Sequence, residues 1–147
     1  MSANKACPLL LRSDGALLWF RHPSAGCQLV KGTVEPGETA AQAALCELAE
    51  EAGIGDARIA VDLGEWSSGH QAQIWSFQLC VAESALPEAW SHFCMDDGGL
   101  LLEFFWHPLE REAPEGSHPL YHRALAEARR RLADVPPAAA LGGGERA

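Results

Sequence analysis

The stretch VKGTVEPGETAAQAALCELAEEAGI, Val30 to Ile54, constrains the chain more than any other. It holds five glutamates and three glycines around one short apolar repeat. Thr39 followed three residues later by Gln42 forms a capping box, so a helix begins near Ala40. Gly53 supplies its natural end. Ala41, Ala44, Leu45, Leu48 and Ala52 recur at helical spacing and define one apolar stripe. Glu47, Glu50 and Glu51 gather on a different face, as i, i+3 and i+4 neighbours.

That grouping works against the helix. Like charges at these spacings destabilise an isolated helix by roughly a few tenths of a kcal/mol per pair. The three carboxylates also sit in the C-terminal half, where the helix dipole opposes anions. A solvated acidic face is the ordinary reading. A hard divalent cation offers the other, because it wants several carboxylate oxygens at one point. The Gly- and Pro-punctuated loop before the helix would fold over that point and add backbone carbonyls as ligands. Lys31 in that loop would face a phosphate, or stand as an ordinary exposed lysine.

The rest of the chain narrows the class. At 147 residues, 48% apolar and 21% charged, it suits one compact domain with its own core. We expect a single domain over residues 1–134 and a flexible low-complexity tail over 135–147. No apolar run approaches bilayer length, because Arg21, Lys31 and Glu38 interrupt early. No signal-peptide pattern is present, so a cytoplasmic protein without a membrane partner is expected. A formal net charge of −9 repels polyanions, which argues against nucleic acid as a partner. A small phosphorylated ligand stays open, since a bound cation inverts the local charge. Five cysteines without paired CxxC spacing argue against a disulfide framework or structural zinc and for free, mostly buried thiols.

Along the chain, CPLLLRSDGALLWFRH reads as two apolar strands joined by a Ser13-Asp14-Gly15 hairpin turn. A strand is expected over DARIAVDLGEW and another over QAQIWSFQLCVA, whose apolar phase switches at Trp75, implying a bulge or burial on both faces. ESALPEAWSHFCMDDGG reads as a long irregular connection, and LLLEFFWHPL as a closing strand. A last helix near Pro119 to Ala133 carries Tyr121, Leu125, Ala128 and Leu132 on one face. Arg129, Arg130 and Arg131 at its end read as a solvated terminus, with a phosphate contact as the alternative.

The Val30–Ile54 stretch resembles the Nudix family. The Nudix box is G, five residues, E, seven residues, then R-E-U-x-E-E-x-G-U, with U a bulky aliphatic. Gly32, Glu38, Glu47, Leu48, Glu50, Glu51, Gly53 and Ile54 all fall in register, eight of nine fixed positions. The arginine position holds Cys46. The resemblance implies an α/β (α+β) fold, a mixed β-sheet sandwiched between helices with the box as loop–helix–loop. It implies hydrolysis of the diphosphate linkage in a nucleoside diphosphate derivative, with Mg²⁺ or Mn²⁺, by attack of water on phosphorus. It assigns Glu47, Glu50, Glu51 and the backbone carbonyl of Lys31 as metal ligands. Glu47, with Glu50, would carry the catalysis, Glu47 orienting or deprotonating the water.

Around that centre, the resemblance gives Glu38 a supporting role, and Arg21 and Lys31 phosphate contacts. Arg21 reads equally as a strand-edge surface charge. An extra acid from outside the box is expected to be Glu103 or Asp97, although Glu103 would also suit a pairing along the last strand. Cys46 is short and a weak donor, so it cannot replace the arginine's charge-assisted bond to a box glutamate. The alternative is therefore a catalytically weakened nucleotide-binding or regulatory module. Trp66, His70, Trp90, His92 and Phe104 fall in or beside loops where a base could stack, or belong to core and surface. Homodimerisation is left open.

Overall fold

The computed structural model describes residues 2–95 and 98–136. Residues 137–147, most of the expected tail, lie outside the described residues. Among the described residues, two four-stranded sheets and two helices make up the fold. The first sheet has the order β4 (Gly32–Thr33), β1 (Lys5–Leu10), β6 (Ile74–Ala82), β5 (Ala57–Ser67), with β1 parallel to β6 and the other pairs antiparallel. The second runs β3 (Gly26–Gln28), β2 (Ala16–His22), β8 (Leu100–Pro108), β7 (Ala89–Cys94), antiparallel throughout. The helices are α1 (Ala40–Ala52) and α2 (Pro119–Leu132). The mixed sheet and flanking helices are those expected, with the antiparallel sheet beside them. Among the described residues no helix is long and apolar enough to cross a membrane.

The Ser13-Asp14-Gly15 turn forms, with Arg12 N–H on Ala16 O at 2.8 Å and Gly15 N–H on Arg12 O at 2.9 Å. Its strands do not make a hairpin ladder. They share only the bridge Leu11–Leu17 and then part, β1 joining the first sheet and β2 the second. The reason is burial. Ala6–Leu10 and Ala16–Phe20 are each buried at every position. An isolated ribbon cannot cover both of its faces, so each strand takes its own sheet.

The phase switch in β6 resolves as burial on both faces, since Trp75 to Val81 are all buried. The irregular register lies in its partner β5, between Ile59 and Val61 and between Asp62 and Gly64. Gln71–Gln73, expected in the strand, instead form the turn before it. The supposedly irregular connection contains β7, an edge strand whose Trp90, His92 and Cys94 turn inward while Ser91 and Phe93 stay exposed. Trp90 stacks on Phe104 with ring centroids 5.4 Å apart and planes 11° from parallel.

Each helix closes a separate core. Leu48 and Ala52 of α1, with Ile54, pack among Leu10, Leu18, Phe20, Val30, Leu102 and Phe104. Leu120, Tyr121, Ala124, Leu125 and Ala128 of α2 pack among Cys7, Leu9, Trp19, Trp75 and Phe77. On α1 the apolar stripe is shifted slightly from expectation. Ala43 is buried, packing with Ala6, whereas Ala41 and Leu45 are half-buried. Leu132 of α2 is only partly buried, so that stripe extends through Leu120 and Ala124 instead.

The arginines ending α2 are not a solvated terminus as a group. Arg129 donates to Leu109 O at 2.6 Å and to Arg111 O. Arg131 donates to Leu63 O at 2.8 Å and Glu65 O at 2.9 Å. Only Arg130 is well exposed, paired with Glu127.

Candidate active site

Both ends of α1 are built as its sequence demands. Gln42 N–H donates to Thr39 Oγ1 at 3.0 Å, and Thr39 N–H donates to Gln42 Oε1 at 2.8 Å. Gly53 adopts φ +75° and returns its N–H to Ala49 O at 3.1 Å. Strand β7 then pins this end. Trp90 Nε1–H donates to Ala52 O at 2.9 Å. The ring of His92 lies so close that a Cβ on Gly53 would come within 2.8 Å of its Nδ1. Helix carbonyls left over at the C-terminus thereby gain partners.

With the helix so held, its acidic face opens on a cavity of about 450 Å³. Lining it are Glu47, Glu50 and Glu51 from α1, Lys31, Gly32, Thr33 and Glu35 from the loop, and Lys5 from β1. Glu51 Oε1 is sealed from solvent. Gly32 has a packing reason to be glycine, since a Cβ there would sit 1.9 Å from Glu47 Cδ. Lys5 Nζ donates to Thr33 Oγ1 at 2.9 Å. Lys31 is half-buried, its Nζ 3.4 Å from Gln73 Oε1 and 5.2 Å from the centre of the Trp75 ring. Burial, then the charge of Lys5, pulls the Lys31 ammonium below the usual lysine range.

The residues suit a hard divalent cation. Four carboxylates share one cavity, and the space a side chain at Gly32 would need is filled by Glu47. Among the described residues no three His, Cys, Asp or Glu side chains are arranged to hold an ion as they stand. Ligation by several of them at once would require side-chain movements.

Of the residues singled out from sequence, the fold brings Glu47, Glu50, Glu51 and Lys31 together. Glu38 does not line the cavity. Its Oε1 accepts the Glu35 N–H at 2.9 Å, tying the loop, and its carboxylate faces Cys46. Arg21 is exposed on β2, its guanidinium 5.3 Å from the centre of the Phe105 ring. Glu103 stands directly across from it on β8. Neither lines the cavity. Asp97 lies outside the described residues. Trp66, Trp90, His92 and Phe104 sit on strands and serve packing, and His70 meets His118 edge-on. Lys5, Thr33 and Glu35 are additional lining residues. Glu35 stands within the glutamate-rich stretch itself, but Lys5 reaches the site only through the pairing of Lys5 with Thr33.

Cys46 is the exposed member of the five free cysteines, the other four being buried. Partial desolvation, then a hydrogen bond to Glu38 and the charges of Glu38, Glu50 and Glu47, push its thiol above the usual range. At neutral pH it is a protonated and weakly nucleophilic thiol.

Gly32→Ala should leave the fold intact, because the clash is with a flexible side chain, and should swing Glu47 out of the cavity. On the catalytic role that the family resemblance implies for Glu47, the expected loss is ~10²-fold in kcat, the scale of one misplaced group. Unaltered turnover in a steady-state assay would contradict that placement.

The sequence matches the NUDIX domain over residues 2–127, and the chain belongs to that family. Solved structures of the same fold include an ADP-ribose pyrophosphatase from Streptococcus suis, 17% identical with a TM-score of 0.57, covering 86% of this chain and 90% of that one. A Nudix hydrolase from M. smegmatis is 21% identical with a TM-score of 0.59, covering 91% and 88%. A Bacillus subtilis pyrophosphohydrolase is 19% identical with a TM-score of 0.57, covering 90% and 82%. No curated protein sequence matches the chain.

Proposed function

We propose that the protein is a metal-dependent pyrophosphohydrolase that cleaves the diphosphate linkage of a nucleoside diphosphate derivative, releasing a nucleoside monophosphate or its equivalent. Membership of the NUDIX family makes it a Nudix-type hydrolase. The observation that carries the finer reading is the cavity that gathers Glu47, Glu50 and Glu51 with Lys5 and Lys31. Acids for a cation and bases for a phosphate occupy one space.

Glu47, Glu50, Glu51 and the Lys31 carbonyl would hold Mg²⁺ or Mn²⁺, with Glu35 near enough to contribute. When bound, such an ion would supply charge neutralisation of the diphosphate. The chain's own contributions are separate. Glu47, set by the absence of a side chain at Gly32, orients the attacking water and takes its proton. Lys31 and Lys5 place positive charge where a phosphate would enter and favour its anionic oxygens. Glu38 keeps the loop folded over the helix by accepting the Glu35 N–H. The names of the structural neighbours agree with phosphate-anhydride chemistry in kind.

The test is a panel of nucleoside diphosphate derivatives incubated with Mg²⁺, with Mn²⁺ and with chelator, reading nucleoside monophosphate release. Metal-dependent release supports the hydrolase. No release from any compound, with metal still raising the melting temperature, overturns it in favour of a binding module. Cys46 is the observation behind that second reading, since its thiol is in no position to act as an arginine.

Cys46→Arg bears on the same point. A guanidinium at this site would stand among Glu38, Glu47 and Glu50. Restoring a charge-assisted bond of about 1.5–3 kcal/mol should raise turnover roughly ten- to a hundredfold. No gain would mean that the arginine's role is already filled or unnecessary here.

A further inference from the structure

We propose that Gln73 is a positioning residue that holds Lys31 toward the phosphate-binding cavity, and that the strained β5–β6 turn serves to fix that side chain. The inference rests on the reading of Lys31 as a phosphate contact. Its starting point is one oxygen. Gln73 Oε1 takes the Trp75 indole N–H at 3.0 Å and stands 3.4 Å from Lys31 Nζ. Indole and ammonium are donors only, so both require the amide oxygen, and this settles which way the amide points. The indole locks the oxygen, and the oxygen with the Trp75 ring face holds the ammonium. One of three N–H donors is spent on Gln73, leaving two for a ligand in the cavity that Lys31 lines.

The backbone shows that this placement is enforced. The turn before β6 closes with Gln73 N–H on His70 O at 2.9 Å, and its central residues Gln71 and Ala72 have φ +51° and +58°. Neither is a glycine or asparagine, the residues that turns of this handedness ordinarily use. Such strain persists only where the surroundings over-determine it. Here the ties come from three directions. Ser68 Oγ donates to Gln73 O at 2.8 Å, and Arg123 of α2 donates to Ser68 O at 3.1 Å. From the start of β1, Asn4 Nδ2 donates to Ala72 O at 3.2 Å and Asn4 Oδ1 accepts Ile74 N–H at 3.0 Å. The turn therefore presents Gln73 in one place.

The experiment measures the affinity of inorganic pyrophosphate by calorimetry in the presence of Mg²⁺. It uses the 147-residue chain, Gln73→Asn, Gln73→Glu, Lys31→Met and the double variant Gln73→Asn/Lys31→Met. Gln73→Asn is a methylene too short to reach and should weaken binding about three- to tenfold. Gln73→Glu keeps an acceptor for Lys31 but sets a negative charge beside the anionic ligand, so it too should bind more weakly than the parent. In the Lys31→Met background the Gln73→Asn effect should vanish. With an active enzyme, Gln73→Asn should raise KM and leave kcat unchanged. Equal effects in both backgrounds, parental affinity in Gln73→Asn, or no pyrophosphate binding by the parent overturns the proposal. Gln73-dependent binding without hydrolysis would instead refute the hydrolase reading and leave this one standing. Hydrolysis indifferent to Gln73 would do the reverse.

Discussion

On the role proposed for Glu47, Glu47→Gln is expected to lower turnover by ~10²–10⁴-fold, the scale of losing a general base. Folding should survive. Removing this charge relieves its i+3 and i+4 neighbours, Glu50 and Glu51, by roughly a few tenths of a kcal/mol each. The metal-free melting temperature should therefore stay within about 3 °C of the parent. Metal should separate the two proteins. At a hundred times its dissociation constant, an ion contributes about 2.7 kcal/mol to the parent. That rise should shrink or disappear in the variant, because on the proposed reading it lacks one ligand of the cation. A variant that keeps both turnover and metal-induced stabilisation would remove Glu47 from the site.

Leu48→Ala should produce the largest loss of stability. Leu48 is the fully buried neighbour of Glu47 and packs in the core with Leu10, Phe20, Val30 and Phe104. Replacing a leucine in such a setting costs about 3–5 kcal/mol, the lost transfer energy plus the cavity left behind. For a chain of this size that is a drop of roughly 6–20 °C in melting temperature. It is also a large part of the ~5–15 kcal/mol that keeps a domain folded. Calorimetry would read the effect directly. A drop of less than about 3 °C would mean that the α1 core closes over the gap.

These two residues also show why α1 was legible before its surroundings were. Its limits rest on Thr39, Gln42 and Gly53, whose capping roles are local. The gathering of Glu47, Glu50 and Glu51 follows from helical spacing alone. Lys5 was not legible as part of the site, because it arrives through strand pairing with Thr33 and nothing near Lys5 records that register. The parting of β1 from β2 was hidden for the opposite reason. The Ser13-Asp14-Gly15 turn is a true local signal, but burial of both faces on each strand decides where the strands go. Strand β7 was missed because its inward face mixes Trp90, His92 and Cys94, a pattern with no plain apolar alternation. What it does, pinning the end of α1 through Trp90, depends on a carbonyl distant in sequence. Arg21 and Glu103, proposed separately as a phosphate contact and an acid, face each other across β2 and β8. Their opposite charges suit a cross-strand pair.

The end of α2 sets how far a run of identical residues is interchangeable under mutation. Arg129 and Arg131 grip backbone oxygens on opposite sides of the fold, at Leu109 and Arg111 after β8 and at Leu63 and Glu65 in β5. Arg130 between them pairs with Glu127 and, among the described residues, grips no backbone oxygen across the fold, with 68% of its side chain exposed against 18% for Arg131. A saturation scan of the three codons should therefore read as tolerant, flanked by intolerant on either side. Lysine should fail at the outer two, since one ammonium cannot span two carbonyls as the planar guanidinium does. Three adjacent codons for one amino acid would then drift at different rates, with the middle one free to change first.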